Sequence, residues 1–170
     1  EPADNDADFR MRYYNSDGNE AEMCGNGARC FARFVDRVVR LEGKPLSFET
    51  MAGPVSAKFH ADQTQIRLSD PVDLVMSGMI ELNGNPITVH SVNTGVPHAV
   101  IIVDDIEHSD VCGIGSAVRF HKHFHPSGTN VNFLSVISSN EIAIRTYERG
   151  VEDETLACGT GMVACAIVHE

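Results

Sequence analysis

Two cysteines stand at the mouths of glycine turns. Cys24 opens Cys-Gly-Asn-Gly at residues 24–27, and Cys158 opens Cys-Gly-Thr-Gly at residues 158–161. Each turn runs into an apolar, helix-like segment, so each sulfur is expected at a helix N-terminus. The unpaired N–H groups and partial positive charge at such a terminus favour a thiolate and attract anions. The glycines let backbone amides approach a ligand closely. One such site per half, set across a cleft, would hold a carboxylate between two thiols. That arrangement suits inversion of a carbon stereocentre, where one group removes a proton from one face and a second returns one to the other. The carboxylate turns enolate-like as the proton leaves, and helix N-termini supply donors that strengthen with that charge. Cysteines so placed need no cofactor.

The elements that must position them read as two similar α/β halves, divided as 1–74 and 75–170. In the first, "FRMRYYN" reads as a strand ahead of the glycine turn. Phe31, Phe34, Val35, Val38, Val39 and Leu41 then fall on one helical face, with Gly43 as the stop. "LSFET", "GPVSAKFH" and "TQIRLSD" follow as short strands, and "SDPVDLVMSG" reads as the crossing between halves. The second half offers strands at "MIELNG", "NPITVHSVNTG" and "HAVIIVDD", a helix around "DVCGIGSAVRFHKH", then strands "TNVNFLSVISSN" and "EIAIRTYERG". "GMVACAIVHE" is apolar almost all round and predicts a buried helix. Tyr14 precedes Cys24 by a span similar to that between Tyr147 and Cys158, and each Cys is followed two helical turns on by another, Cys30 or Cys165.

The remaining composition narrows the partners. Of 170 residues, 42% are hydrophobic and 22% charged, with a formal net charge of −11. That field disfavours nucleic acid and anionic membranes and leaves a small molecule as the expected ligand. No apolar run reaches the length of a membrane span. The cysteines are odd in number, which argues against a disulfide framework and for a reducing, cytoplasmic setting. Cys30, Cys112 and Cys165 read as small buried hydrophobes. The triplet His121, His123 and His125 has no Cys or carboxylate cluster beside it. It reads as a solvated helix end, with no metal site expected. The chain begins without Met and stops inside a helical pattern, so both ends look cut. The oligomeric state is not set by the sequence, and a homodimer is open to it.

At the two cysteines the chain closely resembles diaminopimelate epimerase, a cofactor-independent family that interconverts LL- and meso-diaminopimelate. "NSDGNEAEMCGNGARCFARFV" is similar to that family's first catalytic segment and "YERGVEDETLACGTGMVA" to its second, with "NTGVPHAVIIVDD" and "GTNVNFL" between them in family order. The resemblance implies two pseudo-symmetric halves, each a mostly antiparallel sheet wrapped around a central helix. It makes Cys24 and Cys158 the acid/base thiols. Gly25, Asn26, Gly159 and Thr160 would hold the reacting carboxylate, and Glu148 would take the ammonium at the reacting centre. Arg149 would clamp the distal carboxylate, while Asn15 and Asn130 would contact the distal end. His98 would stand beside the catalytic pair. Val96 replaces an Asn common in the family, so one distal contact is expected to be absent or replaced. The family's N-terminal and closing segments are also missing. The alternatives are a proline racemase-like or other amino-acid isomerase, and an inactive truncated binder.

Overall fold

The Ser-Asp-Pro turn at residues 69–71 marks a division of the chain. The computed structural model describes residues 1–15 and 18–170 and separates into two units, Glu1–Asp70 and Pro71–Glu170. Residues 16 and 17, inside the first glycine-rich motif, lie outside the described residues.

The first unit begins with three two-residue strands, β1 (Phe9–Arg10), β2 (Tyr13–Tyr14) and β3 (Glu20–Ala21), followed by α1 (Gly25–Val35). Strands β4 (Leu46–Thr50), β5 (Gly53–His60) and β6 (Gln63–Arg67) complete it. They form a sheet of order β1-β4-β5-β6, antiparallel except where β1 joins β4, while β2 and β3 pair apart from it. Period-two alternation turns Leu46, Phe48, Val55 and Ala57 inward. Helix α1 packs on β6. Its buried stripe is Ala28, Ala32 and Val35, spaced i, i+4, i+7. Phe31 adds a tilted ring contact with Phe48, centroids 4.9 Å apart.

The second unit carries β7 (Val72–Leu82), β8 (Asn85–Asn93), β9 (Pro97–Ile102), α2 (Val111–Arg119), β10 (Asn130–Ser138), β11 (Glu141–Glu148), β12 (Asp153–Thr155) and α3 (Gly159–His169). The sheet order is β12-β11-β10-β9-β8-β7. Only β9 and β10 run parallel, because α2 crosses between them; the other pairs are antiparallel. Ala99, Val131, Phe133 and Tyr147 pack with Val111 and Val118 of α2 on one face. Val92, Val100 and Leu134 pack with Ala164, Cys165 and Val168 of α3 on the other. Each fully buried Val, Leu or Phe contributes about 1.5–3 kcal/mol. Alternation therefore turns His98, Asn132 and Thr146 towards α3.

Several expectations are corrected. The apolar face expected on the first helix is buried only in part: Val35 is buried and Phe31 packs on Phe48, but Phe34, Val38 and Val39 are exposed. After Val35 the backbone widens into a π-helical turn over Asp36–Arg40, which rotates the later residues off the straight-helix stripe. "SDPVDLVMSG" is no mere crossing, because from Val72 onward it belongs to β7. Helix α3 is not buried all round, as Met162 and Val163 face solvent. Of the three cysteines taken as buried hydrophobes only Cys165 is buried, while Cys30 and Cys112 are exposed.

Candidate active site

Cys24 is the N-cap of α1. Its backbone is extended (φ −137°, ψ 116°), its carbonyl accepts from the Ala28 amide at 2.8 Å, and its Sγ accepts from the Gly27 amide at 3.3 Å. A sulfur thus takes the place of the side-chain oxygen that usually satisfies a first-turn N–H. Gly25 is buried and Asn26 exposed at the start of that turn. Asn15 lies upstream, where its backbone N–H donates to the Asn19 carbonyl and its carbonyl accepts from Gly18. Within the first unit the structure brings Cys24, Gly25 and Asn26 together at one helix end.

Cys158 is the N-cap of α3, again extended (φ −121°, ψ 107°). Its buried Sγ lies 3.5 Å from the Thr160 hydroxyl. That hydroxyl lies 2.9 Å from Nε2 of His98 on β9, and the Thr160 carbonyl accepts from the Thr94 hydroxyl at 3.0 Å. His98 is 1% exposed. Its pKa is pushed down to about 3, first by burial and then by the positive charge of Arg149, so the ring is neutral near pH 7. Burial, with Cys158 as a lesser cause, pushes the Cys165 thiol up to about 12, which leaves it a protonated apolar filler.

Glu148 ends β11 and Arg149 opens the turn that follows it. The Glu148 carboxylate accepts from the Thr155 hydroxyl at 2.8 Å. The Arg149 guanidinium donates to the Ser127 carbonyl at 3.0 Å. Asn130 ties this corner together. Its Oδ1 accepts from the Arg149 amide at 2.9 Å and its Nδ2 donates to the Pro97 carbonyl at 3.1 Å. Val96 is buried next to Pro97. Nearby, Arg145 makes a two-pronged pair with Glu154, both contacts 2.7 Å, and also donates to the carbonyls of Ile106, Glu107 and Ser109. This pair fixes β12, from which the chain passes into the Cys158 turn.

Two of the three histidines at 121–125 bond backbone. His121 Nε2 meets the Glu81 carbonyl and His125 Nε2 the Phe120 carbonyl, while His123 packs edge-on against Phe124. Among the described residues no group of three or more His, Cys, Asp or Glu could hold a metal ion. Also among them, no helix is long and apolar enough to cross a membrane.

Sequence reasoning missed Asn132 and Thr146. Asn132 is wholly buried; its Nδ2 lies 3.0 Å from His98 Nδ1 and 3.0 Å from the Ala99 carbonyl, and its Oδ1 accepts from the Thr146 hydroxyl at 2.9 Å. The signal was present in "TNVNFL", where polar residues alternate with Val131 and Phe133 in a strand whose apolar side chains are core.

A sequence model of the diaminopimelate epimerase family matches residues 2–75 and 90–169. The chain is 44% identical over 169 residues to the diaminopimelate epimerase of Aquifex aeolicus (strain VF5), covering 98% of this chain and 60% of that protein. It is 44% identical over 162 residues to that of Hydrogenobaculum sp. (strain Y04AAS1), covering 94% of this chain and 58% of the other. The chain thus spans less than two thirds of the length of these relatives. In fold it is similar to a probable proline racemase from Agrobacterium radiobacter K84, with a TM-score of 0.70 at 17% identity over 94% of this chain and 54% of the other.

Proposed function

The chain belongs to the diaminopimelate epimerase family, and from that premise we propose that it serves cofactor-independent epimerisation of LL- and meso-diaminopimelate through two cysteines. One observation carries the proposal: each unit supplies a cysteine as the N-cap of a helix whose first turn is Gly-x-Gly. The reaction requires a proton to leave one face of the α-carbon and another to arrive at the opposite face. Cys24 and Cys158 are the two thiols for that exchange. The amides of Gly25 and Asn26, with those of Gly159 and Thr160, stabilise the carboxylate as it gains enolate charge. Glu148 receives the ammonium at the reacting centre and Arg149 the distal carboxylate. Asn15 and Asn130 shape the distal end, Asn130 by fixing the Arg149 backbone. His98 supports Cys158 through the Thr160 hydroxyl. The residue boundary near 70–75 separates the portions that contribute each thiol.

The substrate is a small double zwitterion with two carboxylates and two ammonium groups, and a reducing, cytoplasmic setting suits five free thiols. The proline racemase reading is not favoured, because its likeness rests on fold at 17% identity whereas the epimerases reach 44%. The test is solvent deuterium incorporation. In heavy water, LL-diaminopimelate should gain deuterium at one α-carbon while the meso form accumulates. Exchange into proline but not into diaminopimelate would overturn the reading.

A further inference from the structure

We infer that Asn132 is a positioning residue, which locks His98 into its Nε2–H tautomer and so leaves the Thr160 hydroxyl free to donate to the sulfur of Cys158. The inference rests on the proposed role of Cys158 as an acid/base thiol. Its geometry lies wholly within the second unit.

The orientation of the Asn132 amide is fixed by chemistry. One end of it lies 3.0 Å from the Ala99 carbonyl, which can only accept, so that end must be the NH2. The opposite end accepts from the Thr146 hydroxyl, which agrees. The same Nδ2 lies 3.0 Å from His98 Nδ1. One of its hydrogens goes to Ala99 and the other to the ring, so Nδ1 must present a lone pair. A neutral imidazole with Nδ1 accepting carries its proton on Nε2, and Nε2 faces Thr160 at 2.9 Å. The Thr160 oxygen therefore accepts from His98, and its own hydrogen points onward. Cys158 Sγ lies 3.5 Å away as the next acceptor. The chain of hydrogen bonds runs from Asn132 through His98 and Thr160 to Cys158, the final acceptor, and every link is buried. With the other tautomer, Nδ1–H would confront the Asn132 N–H, and the Thr160 hydroxyl would be drawn back to Nε2.

The titratable groups on the strands packed on α3 engage partners of their own. Among the strands packed on α3, β10 carries no titratable side chain and β9 contributes His98. On β8, His90 Nδ1 accepts from the Ser77 amide. On β11, Arg145 is paired with Glu154, and Glu148 accepts from Thr155. Arg149 acts on His98, and Cys165 of α3 stays protonated.

Two measurements test this. Nitrogen-15 NMR of the histidine rings should show His98 with Nδ1 bare and Nε2 protonated near neutral pH, and Asn132→Asp should place a proton on Nδ1. A native ring protonated at Nδ1 would overturn the inference. Iodoacetamide labelling mapped by mass spectrometry should then show Cys158 alkylation at neutral pH falling about tenfold in Thr160→Val, which keeps the shape and loses one charge-assisted hydrogen bond. Thr160→Ser should restore it, and Cys24 alkylation should not change. Equal Cys158 rates in Thr160→Val and the native protein would also overturn it. If Asn132→Asp does not fold, the native tautomer and the Thr160 pair still decide. Neither readout needs turnover, so absent isotope exchange into diaminopimelate would count against the epimerase reading alone.

Discussion

His98 Nε2 and Thr160 Oγ1 lie 2.9 Å apart, joining the middle of the second sheet to the first turn of α3. Through this contact a strand residue sets the surroundings of a helix-cap cysteine 60 residues further along the chain. Its energetic consequence is a pH dependence. Burial holds His98 neutral down to about pH 3, whereas in the unfolded chain it takes a proton near its ordinary 6.5. Between those values the unfolded state binds more protons, so stability falls as pH falls, with a slope of up to about 1.4 kcal/mol per pH unit. Thermal unfolding from pH 7 to pH 5 should show this loss. His98→Gln should flatten the slope in that window while lowering stability at pH 7. A variant with the native slope would remove His98 as the cause.

The paired thiols set the second expectation. Cys24→Ala and Cys158→Ala should each reduce epimerisation by at least about 100-fold, the lower range for a positioned acid or base. Circular dichroism should stay native for both. A serine at either position should retain more isotope exchange than alanine, since a hydroxyl still relays protons. Near-normal turnover by Cys24→Ala would end the two-thiol mechanism.

Arg149 tests the distal end. Arg149→Lys keeps the charge but loses the planar fork that matches a carboxylate. KM for diaminopimelate should rise by about tenfold or more, with kcat changing much less, because the distal carboxylate is remote from the reacting carbon. The guanidinium also donates to Ser127, so the variant should lose a little thermal stability. An unchanged KM would assign recognition of the distal end to another group.

What the sequence disclosed depended on how local the cause was. The cysteine caps were legible because Cys-Gly-x-Gly before an apolar run is a local signal for both a turn and a helix start. The strands of the second unit were legible for the same reason, as the short apolar run of "HAVIIVDD" and the alternation in "TNVNFL" are written within a few residues. The exposure of Phe34, Val38 and Val39 was not, because it depends on the π-helical turn and on which face of α1 meets β6. Nor was Asn132, whose partners Ala99, His98 and Thr146 come from two other strands. Non-local pairing decided these, and no spacing rule records it.

The two glycine turns, alike in sequence, should respond differently to the same substitution. Gly27 and Gly161 are the third residues after their respective cysteines' own helix caps. A Cβ on Gly27 would sit 3.2 Å from the Met11 terminal methyl, which a flexible methionine can move, and 3.3 Å from Tyr13 and Cys24, where a shift of a few tenths of an ångström suffices. Replacing a helical glycine by alanine gains up to about 1 kcal/mol in helix propensity, which should roughly offset that crowding. A Cβ on Gly161 would instead collide with Asn132 Oδ1. That oxygen cannot retreat, since the amide is held at both ends by Thr146, Ala99 and His98. Overpacking of this kind costs about 1–3 kcal/mol, and breaking the buried network adds to it. Gly161→Ala should therefore lower Tm by several degrees, at about 2–4 °C per kcal/mol for a chain of this size. Gly27→Ala should leave Tm within a degree or two, and differential scanning calorimetry of the pair distinguishes the cases. Equal shifts would mean that Asn132 can move aside, and would loosen the buried network around His98.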